Sequence, residues 1–170
     1  MLALILIVSG CSTYKEETIG VSDLLLSDEY VYNLDLYPSS PCEVEIYETS
    51  NRSSLSEFGS CFFKGSNESL EVVIQIRKFS NFDDLFGTYQ YQSSHLRNIE
   101  GLISEDKFGD FSKFYINVEE DYMGHLNEEG VYIYHLWVVK DDFLIHITTK
   151  DYFDDKYLVE NIANNILSKI

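Results

Sequence analysis

Basic side chains are scarce in this chain: 12 Lys and Arg stand against 29 Asp and Glu, a formal net charge of -17. On average such a surface repels phosphate backbones and anionic lipids, which argues against a nucleic-acid partner. The acids are dispersed ("YKEE", "SDEY", "NEEG", "DDKY") and form no block, the pattern of a solvated outer surface. No apolar run reaches the roughly 20 residues that a helix needs to cross a hydrocarbon core. Also missing are G-x-x-x-x-G-K-[ST], G-x-G-x-x-G, G-x-S-x-G and H-E-x-x-H, the minimal motifs of nucleotide, serine-hydrolase and zincin chemistry. With no C-x-x-C and no His at ligand spacing from a Cys, a zinc site of the usual kind lacks support. Neither an internal repeat nor a low-complexity tract is visible. The sequence therefore nominates no catalytic residue and no cofactor, and the chain reads as a non-enzyme.

Apolar material is plentiful. Of 170 residues, 45% are hydrophobic and 15% aromatic, including 13 Tyr and 11 Phe, enough to offset the ordering entropy of one globular domain. Residues 2 to 8 are continuously apolar and uncharged, too short to span a membrane, and read as the apolar part of a signal peptide. The Lys or Arg that usually precedes such a run is missing, so the true start lies upstream or that region has been trimmed. Behind the run, Val8, Ser9, Gly10 and Cys11 resemble the lipobox of prokaryotic lipoproteins, an aliphatic residue and two small ones before the cysteine that takes the lipid. That resemblance implies a signal peptide over 1–10, an acylated Cys11 and a polar tether over 11–20 ("STYKEETIG" after the cysteine) leading to a domain over 21–170. Each buried lipid methylene contributes about 0.8 kcal/mol, so two or more acyl chains hold such a domain to the membrane while leaving it in water. The competing reading makes residues 2–11 a buried first strand or helix.

Export implies an oxidising compartment, where Cys42 and Cys61 become a candidate disulfide around the mostly polar loop "EVEIYETSNRSSLSEFGS". Two separate core thiols are the alternative. Asn51 and Asn67 begin sequons in polar stretches, and whether either carries a glycan stays open.

Periodicity gives the secondary structure. "EVVIQIRKF" (71–79) alternates Val72, Ile74 and Ile76 against Gln75 and Arg77, a half-buried strand. The period then becomes helical. Phe82, Leu85, Phe86, Tyr89, Leu96 and Ile99 predict a helix around 81–101, started by Ser80 with Asp83 and ended by Gly101. Strands follow at "FSKFYINV", "GVYIYHLWVV" and "FLIHITT", an antiparallel meander. A helix around 155–169 closes the chain, with Asp154 as N-cap and Leu158, Ile162, Ile166 and Ile170 on one stripe beside Val159, Ala163 and Leu167. "CEVEIYE" and "SCFFKG" read as shorter strands bracketing the cysteine loop. The fold class expected is α+β, an antiparallel meander with both helices packed on its apolar face.

This run of elements, with Gly109-Asp110 before a strand and the closing "LVENIANNILSKI", resembles uncharacterised lipid-anchored proteins of archaea. Over residues 70–170 it is similar in outline to the PsbP-like α/β/α sandwich. The resemblance implies an accessory or binding domain and assigns no functional residue.

One constellation remains, His135 and His146. A two-residue turn at Lys140 and Asp141 would set His135 directly opposite His146, whereas a turn at Asp141 and Asp142 would make them diagonal neighbours. Either register puts Trp137 on the same face, with Tyr132, Tyr134, Leu136, Val138, Phe143, Ile145 and Ile147 on the other. Two imidazoles so placed are candidate metal ligands if a carboxylate supplies a third; otherwise they are half-buried sheet residues. The functional expectation is a surface-tethered, extracytoplasmic binding or structural module, partnered by the membrane through its lipid and by a small ligand or an extracytoplasmic protein. The alternative is a metal-handling protein or extracytoplasmic enzyme that uses His135, His146 and nearby carboxylates.

Overall fold

The structure, a computed structural model, describes residues 18–48, 53–66, 69–95, 101–117 and 130–170. Cys11, Asn51, Asn67, Leu96 and Ile99 lie outside the described residues, and with them the readings placed on those positions.

The chain begins with two short helices, α1 (Val21–Leu24) and α2 (Asp28–Asn33), and continues through β1 (Leu36–Pro38), β2 (Glu43–Ile46), β3 (Leu55–Gly65) and β4 (Glu71–Phe79). Helix α3 (Phe82–Ser94) follows, then β5 (Leu102–Glu105), β6 (Phe111–Asn117), β7 (Tyr132–Lys140), β8 (Phe143–Asp151) and α4 (Lys156–Leu167). Among the described residues, these eight strands join one antiparallel sheet in the order β1-β3-β4-β8-β7-β6-β5, with β2 also paired to β3. The fold is α+β and dominated by its sheet. Strands β6, β7 and β8 form the expected meander, and α3 carries the chain from the middle of the sheet to its far edge.

The helices do not share a face. On one side, Val159, Ile162, Ala163 and Ile166 of α4 pack with Val21, Leu24 and Val31 on Val72, Ile74, Ile76, Leu136, Val138, Ile145 and Ile147. On the other side, Leu85 and Tyr89 of α3 pack on Tyr115, Trp137, Val139 and Leu144, forming a second, smaller core. The expectation of two helices on a single apolar face is thus corrected. Strand β7 is buried from Ile133 to Val139 without a break, and "IYHLWVV" is accordingly near-continuously apolar, as strands covered on both faces are. Each such Leu or Ile, fully withdrawn from water, contributes about 1.5–3 kcal/mol.

Both helix starts differ from expectation by one residue. Asn81, not Ser80, caps α3, its Oδ1 accepting from the amides of Asp83 (2.8 Å) and Asp84 (3.2 Å). Ser80 is still tied to the sheet, its amide donating to the Ser54 carbonyl at 2.8 Å. The helix ends at Ser94 with His95 as C-cap, short of Gly101. Asp154 lies one position before the α4 N-cap, Asp155, and accepts both the Tyr134 hydroxyl (2.7 Å) and the Lys156 amide (3.2 Å).

The β7–β8 turn is Asp141-Asp142, since Lys140 pairs with Phe143. Asp141 takes φ of 51°, the left-handed region that Asp tolerates better than most residues, and Asp110 holds it there. The Asp110 carboxylate accepts the Asp141 amide at 3.0 Å and the Lys140 ammonium at 3.2 Å. The Asp141 amide, followed by Lys140, holds the Asp110 pKa below the ordinary carboxylate value. Gly109, at φ of 59°, brings the chain so close to β7 that a Cβ there would meet the Val139 carbonyl at 2.5 Å. Gly109-Asp110 therefore pins the meander's register.

Candidate functional site

With the turn at Asp141-Asp142, His146 pairs with Trp137 and His135 with Thr148. The histidines are diagonal, which corrects the directly opposed arrangement. Pairing continues into β4, where Gln75 lies opposite His146 and Val73 opposite Thr148. Two rows of side chains therefore cross the sheet on its second face, Val73–Thr148–His135 and Gln75–His146–Trp137, and Arg77 stands in the next row. Helix α3 roofs this face with Leu85 and Tyr89 and reaches its last turn at Gln92. The space left between them is a cleft of about 390 Å³ lined by Val73, Gln75, Arg77, Gln92, His135, Trp137, His146 and Thr148.

The rings stand edge-up and face one another. Trp137 and His146 stack at 4.3 Å between centroids with planes 9° apart, and His135 stacks on Trp137 at 5.4 Å and 13°. Three polar atoms close a triangle: His135 Nδ1 to His146 Nε2 is 3.3 Å, and Thr148 Oγ1 lies 3.3 Å from the former and 3.1 Å from the latter. Burial lowers the His135 pKa to about 4. Burial, then the neighbouring His135 and Arg77, hold His146 well below its ordinary 6.5. At neutral pH both imidazoles are uncharged.

Arg77 is the one charged side chain among the eight that line the cleft. Its Nη2 donates to Gln75 Oε1 at 3.2 Å, and its guanidinium lies over the Phe58 ring at 5.1 Å, so the fork is held in one orientation. Two ring nitrogens, Nε2 of His135 and Nε1 of Trp137, are buried without a hydrogen-bond partner.

Among the described residues no carboxylate lines this cleft as the expected third metal ligand, and no three His, Cys, Asp or Glu side chains gather at ion-binding range. The acids collect elsewhere. At the β8–α4 junction Asp151 accepts from the Ser69 hydroxyl (2.7 Å) and the Tyr152 amide (2.7 Å). Burial, followed by a hydrogen bond with Asp151, raises the pKa of Asp155 to about 6. Cys42 and Cys61 are joined in a disulfide, their Cα atoms 4.4 Å apart where β2 enters its ladder with β3. Sequence reasoning placed His135, His146, Trp137, Gln75 and Arg77 on their faces and missed Gln92 and Thr148. The Thr148 signal was its place two residues beyond His146 on the same face of β8.

No family model matches the chain, and no curated protein matches it in sequence. Among solved structures, the crystal structure of the extracellular domain of PknH from Mycobacterium tuberculosis is similar in fold at 15% sequence identity, with a TM-score of 0.54 over 87% of this chain and 93% of that one.

Proposed function

We propose that this chain is an extracytoplasmic binding module, tethered to the membrane through an acylated Cys11, that holds a small ligand in the cleft between the sheet's second face and α3. The observation that carries the reading is the cleft itself, of small-molecule size and lined by Arg77, Gln75, Gln92 and Thr148 beside Val73 and His146. The Cys42–Cys61 disulfide supports a place outside the reducing cytosol. The fold likeness to an extracellular domain points the same way. Among the described residues no helix is long and apolar enough to cross a membrane.

Expressed in a lipoprotein-processing host, the protein is expected to fractionate with membranes and to yield, by mass spectrometry, a mature chain beginning at acylated Cys11. Cys11→Ser should move it to the soluble fraction with an unchanged melting temperature. An intact Met1 on a water-soluble wild-type protein would end the tether.

The second reading, metal handling, rests on the triangle of His135 Nδ1, His146 Nε2 and Thr148 Oγ1. Arg77 opposes it, because a guanidinium in the same cleft repels a cation. Calorimetric titration of the metal-free chain with zinc is expected to give no heat that His135→Ala removes. A stoichiometric, His135-dependent heat would favour the metal reading instead.

A further inference from the structure

Of the groups that line the cleft, Arg77 donates only, whereas Gln75, Gln92, Thr148 and the neutral imidazoles can each donate or accept. Among the described residues that line the cleft, none is a carboxylate. The chain as a whole is strongly acidic, so an anion is repelled at long range. That field is screened within about 8 Å at physiological ionic strength, and among the described lining residues the charged group is the Arg77 guanidinium, which contacts Gln75 and Phe58. The His146 ring, backed by Trp137 stacked on it, and Val73, two rows from Arg77, offer apolar wall.

Resting on the reading of the cleft as a ligand site, we propose that its ligand is a small organic carboxylate on an apolar or aromatic body, the carboxylate beside Arg77 and the body against Val73 and the ring of His146. A guanidinium matches a carboxylate with two parallel N–H···O bonds, and such charge-assisted bonds are about twice as strong as neutral ones. An uncharged amide of the same shape keeps the apolar contacts and loses the charge.

Trp137 is the only tryptophan in the chain, so its emission reports on the cleft alone. The full chain, lipid included, is placed in nanodiscs of zwitterionic lipid and titrated with benzoate and with benzamide up to tens of millimolar at matched ionic strength. Benzoate is expected to give a saturable change in Trp137 emission at a Kd at least tenfold lower than benzamide. Arg77→Gln should bring the two probes to the same affinity, and its melting temperature is recorded beside it. Benzamide binding as tightly as benzoate to the wild type would overturn the anion while leaving the cleft as a ligand site. A saturable response to neither would overturn the cleft with it, and this wild-type comparison decides even if the variant does not fold. A folded Arg77→Gln protein that keeps the tenfold preference would overturn the role given to Arg77.

Discussion

Replacing both Cys42 and Cys61 by alanine is expected to lower the unfolding free energy by about 3 kcal/mol, read as a shift of the urea midpoint against the oxidised wild type. The two cysteines are 19 positions apart, and in the chain-entropy account closing a loop of that length removes about 3 kcal/mol worth of freedom from the unfolded ensemble. Local structure concentrates the effect. Every residue of β2 is exposed, and its one strand partner is β3, so the hydrophobic effect does little to keep it in place. Without the crosslink, the amides of Glu43 to Ile46 should lose hydrogen-exchange protection ahead of the rest of the sheet. A double variant that matches the wild-type midpoint would show that the ladder alone holds β2, and the entropic account would not apply here.

Stability is expected to fall by several kcal/mol as pH drops from 6.5 towards 4, and the cleft histidines are the cause. The His135 pKa is about 4 in the fold and about 6.5 in the unfolded chain, so protonation favours unfolding. The contribution is complete above pH 6.5 and is lost progressively below it, by about 3 kcal/mol for His135 at 1.36 kcal/mol per pKa unit. His146, also depressed, acts in the same direction. Asp155 opposes them. Its folded pKa of about 6 lies above its ordinary 3.8, so its stabilisation is present below 3.8 and is lost as pH rises through 6, and partial solvent exposure keeps it to a fraction of the histidine effect. Unfolding between pH 4 and 6 therefore takes up protons on balance. Urea midpoints at pH 7, 6, 5 and 4.5 should decline in the wild type and decline less in His135→Gln. A flat wild-type profile, or an equal slope in the variant, would remove the histidines as the cause.

The elements legible in the sequence are those whose own period declares them. β4, α3, the β6–β8 meander and α4 all carry a repeating apolar pattern, and each is present close to its expected bounds except at the end of α3, which stops at Ser94 rather than near Gly101. What was missed depends on contacts between distant segments. The four-residue α1 and the six-residue α2 are too short to show a period, and β5, "LISE", alternates too briefly. The hairpin register turned on Asp110 reaching the amide of Asp141, two residues separated by all of β6 and β7. The burial of the second face was written in the unbroken apolar run of β7, but a half-buried strand beside a helix gives much the same composition. For the site, alternation placed Gln75, Arg77, His135, Trp137 and His146 on their faces. Their meeting in one cleft required the β4–β8 pairing, which no local pattern encodes.

That pairing also sets the tempo of folding. β4 meets β3 soon after both exist, but its other edge is completed by β8, the last strand of the sheet. Until β8 arrives, the backbone groups of Val72 to Lys78 form an open edge flanked by bare Val and Ile, the kind of surface on which unfinished chains stick to one another. So non-local a topology belongs with the slow folders, in the millisecond-to-second range, and the edge stays open for that long. The dispersed surplus of acids then has a task in the unfinished chain as well as in the finished one. At a formal charge of -17, two incomplete molecules repel each other while each waits for its last strand.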